Sequence, residues 1–278
     1  MTSYPNIETK KLIANGQERQ RELLKTMAPN RFITWHWTAE GFESAADWIK
    51  AHPHEVRSGI YLSDSPSKEV WRITVPPRHG DYEVVIKTYH RETFSWLRLF
   101  DRSNAVTEAL NYATLDGLGI PVAETLACGE VRKFGKLKSS FIITRYIDNT
   151  IDGSSLMPGG SLADQDEFRV AFSKKALEII ARAHACGFSH TSFHPHKILI
   201  SKNSTIDSQD LTLIDVAHGG FKNTMSMRAA IAIDLATFFI DMRLATEEIK
   251  LLSAYYLDFN PFCGFTVDTL WEAMIAVD

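Results

Sequence analysis

The sequence is poor in cysteine, in net charge and in long apolar runs. Its 278 residues include three cysteines, Cys128, Cys186 and Cys263, whose wide spacing fits neither a metal site nor a disulfide framework. This usage predicts a reducing, cytoplasmic compartment. The net charge of −4 at pH 7 gives the chain no overall attraction to nucleic acid, so we expect no nucleic-acid partner.

A membrane-spanning segment is also missing from the sequence. No stretch approaches the roughly 20 consecutive apolar residues that cross a bilayer. The first residues, MTSYPNIETKK, lack the apolar centre of a signal peptide. We therefore expect a protein that is soluble or that contacts a membrane only peripherally.

The chain is rich enough in apolar residues, at 45%, to form one large or two small domains with real cores. Alternating apolar residues predict strands in the first half, whereas the second half is mostly helical in pattern. We predict an α+β fold with a helical N-terminal extension over residues 1–56, a small strand-rich lobe over 57–148 and a helical lobe over 149–278. The Gly- and Ser-rich stretch 151–160 is interpreted as a linker.

Three ionisable residues occupy positions where they could carry chemistry. Lys87 ends an apolar strand, where its ammonium could hold nucleotide phosphates. Glu108 lies on the next predicted helix and could pair with Lys87. Asp215 follows the apolar strand 211–214, a common position for a magnesium ligand. Taken singly, Lys87 is better explained as a surface lysine on an edge strand and Glu108 as a solvated helix charge, and Asp215 could be a turn-forming aspartate.

Five sequence motifs, taken in order, favour the functional interpretation. They are SNAVTEALNYATLDGLGIPVAETLACGE (103–130), FIITRYIDNTIDGSSL (141–156), IARAHACGFSH (180–190), LTLIDVAH (211–218) and AIDLATFF (232–239). This ordered set resembles the bacterial lipopolysaccharide core kinases, the Kdo/WaaP family. The resemblance implies a two-lobed protein-kinase-like fold with Lys87, Glu108 and Asp215 at a site for ATP and Mg²⁺. It also implies that Asp234 is structural and ties its helix to the catalytic loop.

The resemblance further implies a function and a location. Members of the family use ATP to phosphorylate sugars, heptose or Kdo, of the lipopolysaccharide inner core at the cytoplasmic face of the membrane. We therefore expect a lipopolysaccharide core glycolipid or a protein as partner. We expect a cytoplasmic location, with peripheral contact at the inner membrane left open. The basic and aromatic stretch 87–102 would either pack on the small lobe or contact a glycolipid or membrane surface.

The catalytic loop departs from the family pattern, which has His, then Asp two residues later, and Asn or His seven residues after the first His. Here Ser192 follows His190 at the aspartate position, and Lys197 occupies the last position. A serine hydroxyl is a poor proton acceptor, and a general base contributes about 10²–10⁴ in rate. Lys197 could pair with Asp215, or it could replace the charge of one metal ion against the phosphates.

The histidines of this loop leave two further interpretations open. His194 could act as a substitute base, since neutral imidazole accepts protons near pH 7. His194 and His196 alternate, which fits a zinc site, although no cysteine or acid spacing completes a tetrahedral set. His190 is expected to be packed and to shape the loop.

These observations define the candidate site. The candidate catalytic residues are Ser192, His190 and His194. The candidate cofactor-binding residues are Lys87, Glu108, Lys197 and Asp215, and Asp215 is also the candidate metal ligand. The sequence is compatible with a slow or unusual phosphotransferase. It is equally compatible with a pseudokinase that acts as a nucleotide-binding, scaffolding or regulatory protein in envelope biogenesis.

Overall fold

A computed structural model of the chain describes residues 7–26, 37–65, 67–90, 102–133 and 136–277. The helices in these ranges are α1 (Ile7–Thr26), α2 (Glu43–Ala51), α3 (Pro53–Val56), α4 (Asn104–Gly117), α5 (Asp166–Ala185), α6 (Thr224–Met242), α7 (Thr246–Phe259) and α8 (Val267–Ile275). The strands are β1 (Trp37–Thr38), β2 (Ile60–Ser65), β3 (Lys68–Thr74), β4 (Glu83–His90), β5 (Thr125–Lys133), β6 (Lys136–Arg145), β7 (Thr150–Asp152), β8 (Phe188–Ser189), β9 (Ile198–Ser201), β10 (Leu211–Leu213) and β11 (Gly220–Phe221). The predicted α+β class is confirmed.

A six-stranded antiparallel sheet, in the order β1-β5-β6-β4-β3-β2, forms the strand-rich part of the chain. Strand β4 is central and pairs with β3 on one side and with β6 on the other. Successive side chains of a strand point to opposite faces. Val84 and Ile86 are therefore buried on one face, and Lys87 and Tyr89 are buried on the other. The alternative of a surface lysine on an edge strand is thus wrong for Lys87.

Helix α2 packs against one face of this sheet, and strand β1 forms one of its edges. Phe42, Ala45 and Ile49 share one buried cluster with Ile73 and Val84 of the strands. Burying a side chain such as that of Phe42 contributes about 1.5–3 kcal/mol. Strand β1 extends the sheet by pairing with β5. The region before β2, predicted to be helical, therefore contains a strand and covers one face of the sheet.

The second half of the chain combines helices with two small sheets. Strand β9 pairs antiparallel with β10 and β7, and β8 pairs with β11. The linker prediction for 151–160 is wrong, because this stretch contains β7 and a short 3-10 helix. Ile151 pairs with Ile200, and Gly153 is required because the carbonyl of Pro195 approaches the position that a Cβ would occupy.

The chain divides into two compact units. We call the unit of Arg19–Ala113 and Ala123–Ile147 the sheet unit, and the unit of Met1–Glu18, Thr114–Val122 and Asp148–Asp278 the helical unit. The described part of the sheet unit contains the six-stranded sheet, and that of the helical unit contains α5 to α8 and the two small sheets. The division predicted from sequence, at 1–56, 57–148 and 149–278, stays a prediction.

Two predictions concern contact with membranes. Among the described helices, none combines the length and the apolar character needed to cross a bilayer. Most of the basic and aromatic stretch 87–102 falls at residues 91–101, which lie outside the described residues. Its packing role and its surface role both stay predictions.

Candidate functional site

A buried ion pair joins Lys87 on β4 to Glu108 on α4. Lys87 Nζ lies 3.1 Å from Glu108 Oε1, and the two side chains are only 10% and 2% exposed. The hydroxyl of Tyr89 donates to Glu108 Oε2 at 2.6 Å, and that of Tyr112 donates to Oε1 at 3.4 Å. The carboxylate thus accepts hydrogen bonds from three donors, which compensates for its loss of water. The predicted pairing is present, while its role toward a nucleotide stays a prediction.

Local sequence explains why these groups meet. Lys87 and Tyr89 are two residues apart on a strand and so point to the same face. Glu108 and Tyr112 are four residues apart on α4 and therefore lie on one face of the helix. Ser103 caps the start of this helix, since its Oγ accepts the N–H of Val106 at 3.3 Å.

Asp234 of α6 anchors the start of the predicted catalytic loop. Its Oδ2 accepts hydrogen bonds from Ser189 Oγ at 2.8 Å, from the N–H of His190 at 3.0 Å and from His184 Nε2 at 3.1 Å. Burial acts to raise the pKa of Asp234, but the hydrogen bonds and charges of the surrounding groups outweigh it and lower that pKa. The contacts are those expected of the structural role predicted for Asp234.

Lys197 contacts both Ser192 and Asp215. Its Nζ donates to Ser192 Oγ at 2.7 Å and lies 3.7 Å from Asp215 Oδ2. The register of β9 and β10 brings these positions together, because the N–H of Ile214 donates to the carbonyl of Lys197 at 2.9 Å. The contact expected for pairing with Asp215 is therefore present, while the role of Lys197 toward a metal ion or phosphates stays a prediction.

Two backbone positions of the site are strained. Thr191 has φ 58° and Asp215 has φ 57°, both in the left-handed region, where a β-branched residue such as threonine is an outlier. Hydrogen bonds hold Thr191 in place, since its Oγ1 donates to the carbonyl of His218 at 2.6 Å and its N–H donates to Ser189 Oγ at 3.1 Å. Such strain costs about 1–3 kcal/mol per residue and is concentrated at functional sites.

His190 is a buried, neutral residue. Its ring packs edge-on against Phe193, with 5.9 Å between the ring centroids, and it is 1% exposed. Burial lowers the pKa of His190 from its ordinary value of 6.5 to about 4, although the carboxylate of Asp234 acts to raise it. An uncharged, packed imidazole fits the expected role of shaping the loop.

The burial of His190 predicts a loss of stability in acid. The unfolded chain binds a proton at this residue below pH 6.5, whereas the folded protein does so only near pH 4. The stabilising effect is therefore complete above pH 6.5 and is lost as the pH falls toward 4. At about 1.4 kcal/mol per pKa unit, the loss is about 3 kcal/mol. Denaturant unfolding at a series of pH values should show a flatter curve for His190→Gln, and parallel curves would contradict the prediction.

His194 and His196 lie together on the outer side of the loop, because alternate residues of the loop are buried. Their rings stack, with centroids 4.9 Å apart and planes 22° apart. His194 Nδ1 lies 2.7 Å from Oδ2 of Asp241, which is on α6. Burial, followed by the charges of His194 and Lys197, lowers the pKa of His196. The sequence showed no acid spacing beside these histidines, whereas in the structure the potential ligand atoms of His194, His196 and Asp241 all lie within 4.8 Å of one another.

Comparison with known proteins identifies the family. The model of the lipopolysaccharide kinase (Kdo/WaaP) family matches residues 74–256. The chain belongs to this family. Membership confirms the resemblance found in the sequence motifs. No curated protein sequence matches the chain at a significant level.

Two solved structures are similar to this member of the lipopolysaccharide kinase family, and one of them supports its fold. A structure of WaaP in complex with acyl carrier protein has a TM-score of 0.56 and 15% identity, covering 80% of this chain and 89% of the other. The ROP18 kinase domain in complex with AMP-PNP and sucrose has a TM-score of 0.47 and 11% identity, covering 87% of this chain and 97% of the other. The second similarity is too low to carry an argument. The first confirms the protein-kinase-like fold and, at this identity, shows the fold alone.

The structure places the candidate residues of this family member in two groups and at two separate histidine positions. Lys87 and Glu108 form the pair in the sheet unit. Ser192, Lys197 and Asp215 form a contact cluster in the helical unit. The histidines separate: His194 pairs with Asp241, whereas His190 is buried and held through its backbone by Asp234. The chemical roles of all these residues stay predictions.

Three residues of these groups were missed from the sequence. Tyr89 and Tyr112 could have been found, since each lies at the spacing that places it on the same face as Lys87 or Glu108. Asp241 had no local signal, because it lies on α6 and its partner His194 is 47 residues earlier.

Proposed function

We propose that this protein binds ATP and slowly transfers its γ-phosphoryl group to a sugar hydroxyl, of heptose or Kdo, in the lipopolysaccharide inner core. The observation that carries the proposal is the buried Lys87–Glu108 pair in a member of this kinase family. The pair retains the group expected to hold phosphates. Ser192, at the position of the family's aspartate, removes the base, so binding is retained while the rate is reduced.

Lys87 is the proposed phosphate ligand. An ammonium offers three donors, and its compact charge suits phosphate oxygens. Glu108 holds the side chain of Lys87 extended. The central position of β4 in the sheet fixes the backbone of Lys87. In kinases a lysine of this kind positions the phosphates and stabilises the transferred group electrostatically.

Asp215 is the proposed magnesium ligand. Mg²⁺ is commonly held by one or two carboxylates together with substrate phosphates and water, and Asp215 offers one carboxylate. When bound, the ion would supply positive charge to the phosphates. The ammonium of Lys197, 3.7 Å from Asp215 Oδ2, competes for that carboxylate or adds a second positive charge beside it.

The proposed low rate follows from the environment of Ser192. Its Oγ accepts a hydrogen bond from the cationic Lys197, which further reduces its ability to take a proton from an acceptor hydroxyl. Electrostatic stabilisation by the lysines and the metal ion does not require that base. His194 as a substitute base stays a prediction, and unchanged phosphotransfer in His194→Ala would end it.

A pseudokinase is the second candidate function. The contact between Lys197 and Asp215 favours it, because an acid paired with lysine is a weaker magnesium ligand. In this case the protein would bind nucleotide or a protein partner and act in envelope biogenesis without catalysis. Since the similar WaaP structure is a complex with acyl carrier protein, an acyl carrier protein is the first partner to test. A cytoplasmic location with peripheral membrane contact is proposed for both candidates.

ATP is expected to raise the melting temperature of the protein. At about 100 times its dissociation constant, a ligand stabilises the folded state by about 2.7 kcal/mol. For a chain of this size that corresponds to an increase of about 5 °C. The measurement is a thermal-shift titration with ATP, with and without Mg²⁺.

Variants identify the residues responsible for this shift. Lys87→Ala should abolish it, whereas Lys138→Ala, at an exposed position of β6 in the same sheet, should leave it unchanged. A shift that needs Mg²⁺ and disappears in Asp215→Asn supports the phosphotransferase. A shift that is independent of Mg²⁺ favours Lys197 as the replacing charge. No shift in any condition contradicts ATP binding and leaves a pseudokinase without nucleotide.

A further inference from the structure

We propose that His194, His196 and Asp241 bind a transition-metal ion, with Zn²⁺ as the best-fitting ion. The three side chains come from two elements of the helical unit, the catalytic loop and α6. Their ligand atoms all lie within 4.8 Å of one another. Metal binding here is independent of the proposed binding of ATP and Mg²⁺, because none of the three residues is proposed to hold either of them.

The loop is fixed to α6 close to the proposed site. Phe193, next to His194, is fully buried and stacks on Phe238 of α6, with 5.4 Å between centroids and 24° between planes. Phe238 lies three residues before Asp241, so this packing fixes His194 beside that carboxylate. Asp234, about one turn before Phe238 on the same helix, also holds the loop by accepting a hydrogen bond from the N–H of His190. The donors are thus brought together by the core and need little rearrangement to bind an ion.

The donor atoms already approach the spacing of a metal site. Zinc takes imidazole nitrogen at 2.0–2.1 Å and carboxylate oxygen at 2.0–2.2 Å, so two donors of a tetrahedral site lie roughly 3.3 Å apart. His194 Nδ1 and Asp241 Oδ2 are 2.7 Å apart, and a small separation would admit the ion. His196 is stacked on His194 and is exposed, so its ring can turn to complete the set.

The chemistry of the donors selects the class of ion. Two imidazoles and one carboxylate suit Zn²⁺ and similar transition metals, whereas Mg²⁺ and Ca²⁺ prefer oxygen ligands throughout. Three protein ligands leave a position for water or another ligand. The rival arrangement is a metal-free hydrogen bond in which Asp241 only orients the ring of His194. A metal ion bound to His194 would prevent this residue from acting as a base.

Zinc binding can be measured directly on the whole protein. The chain is freed of metal with a chelator, and Zn²⁺ alone is titrated calorimetrically in the presence of a competing chelator of known affinity. Co²⁺ provides a second readout through its visible absorption at a low-coordinate nitrogen and oxygen site. The variants are His196→Ala and Asp241→Asn, and the control is His54→Ala, an exposed histidine of the sheet unit. Circular dichroism checks that each variant is folded.

We expect one Zn²⁺ per chain and a loss of affinity of about 100-fold or more in each ligand variant, since even an outer-shell partner contributes 10–100-fold. His54→Ala and Lys87→Ala should bind zinc as the wild type does. The inference is overturned if the zinc affinity of the wild type is no higher than that of the ligand variants. It is also overturned if folded Asp241→Asn keeps the wild-type affinity, which would leave the metal-free Asp–His pair. Because Lys87→Ala separates the two sites, failure of zinc binding leaves the ATP proposal standing.

Discussion

Changing Ser192 to aspartate and Lys197 to asparagine together is expected to raise the phosphotransfer rate by about 10²–10⁴-fold. The new carboxylate would accept a proton from the acceptor hydroxyl, which the serine cannot do. Removing the ammonium that lies 3.7 Å from Asp215 would at the same time release that acid to bind Mg²⁺. The measurement is transfer of labelled γ-phosphate to a heptose- or Kdo-containing core acceptor under single-turnover conditions.

The single variants should gain less than the pair. In Ser192→Asp alone, the new carboxylate would lie beside Lys197 and pair with it, since Lys197 Nζ is already 2.7 Å from the Oγ at this position. An ion-paired carboxylate has a lowered pKa and is a weaker base. Lys197→Asn alone would strengthen the response to Mg²⁺ without supplying a base.

Ser192→Asn combined with Lys197→Asn is the matched control for this prediction. Asparagine has nearly the shape of aspartate but cannot accept the proton. An equal gain in this control would mean that removal of Lys197, and not a restored base, causes the effect. If ATP still binds and no variant transfers phosphate, the loop is not the reason for inactivity, and the pseudokinase becomes the better account.

The sequence predicted the parts of the site whose signals are local. Lys87 on an apolar strand and Glu108 on the following helix could be placed because each element has its own periodicity. The same holds for Asp215 at the end of an apolar strand. Their order along the chain, together with the family motifs, then indicated which of them should meet.

The parts that were not predicted depend on partners far along the chain. Residues 150–152 look like a loop by composition, yet they form β7 by pairing with β9 about 50 residues later. The burial of Phe42 against the sheet was not predicted either, because nothing in the local sequence indicates it. Asp241 is a helix acid like many others until the packing of Phe193 on Phe238 brings it to His194.

The predicted catalytic loop keeps its backbone anchor but differs from the family pattern at two side chains. Asp234 accepts hydrogen bonds from Ser189 and from the backbone N–H of His190, so the start of the loop is anchored to α6. The side chains at 192 and 197 differ from the family pattern, and they contact each other. Altered chemistry on a maintained backbone is what makes restoration by two substitutions a realistic test.

Asp234→Ala is expected to lower the free energy of unfolding by about 3–5 kcal/mol, because each buried donor left without its acceptor costs about 1–3 kcal/mol. Asp234 is fully buried, and its loss would leave three donors, on Ser189, His190 and His184, without their acceptor. The measurement is denaturant unfolding monitored by circular dichroism, with the wild type and the variant compared at the same pH.

Asp241→Ala is the matched control, because Asp241 lies seven residues later on the same helix and is partly exposed, with a side chain 25% accessible. In protein freed of metal with a chelator, a partly exposed pair such as His194–Asp241 contributes about 1 kcal/mol or less. Asp234→Asn should fall between the two, since the amide keeps one acceptor oxygen but loses the charge. Equal losses for positions 234 and 241 would show that the Asp234 contacts do not anchor the loop. A large loss of unfolding free energy for the Asp234 variant alone would show that the loop depends on α6 for its position. Substitutions at 192 and 197 could then be interpreted as changes in side-chain chemistry on an anchored loop.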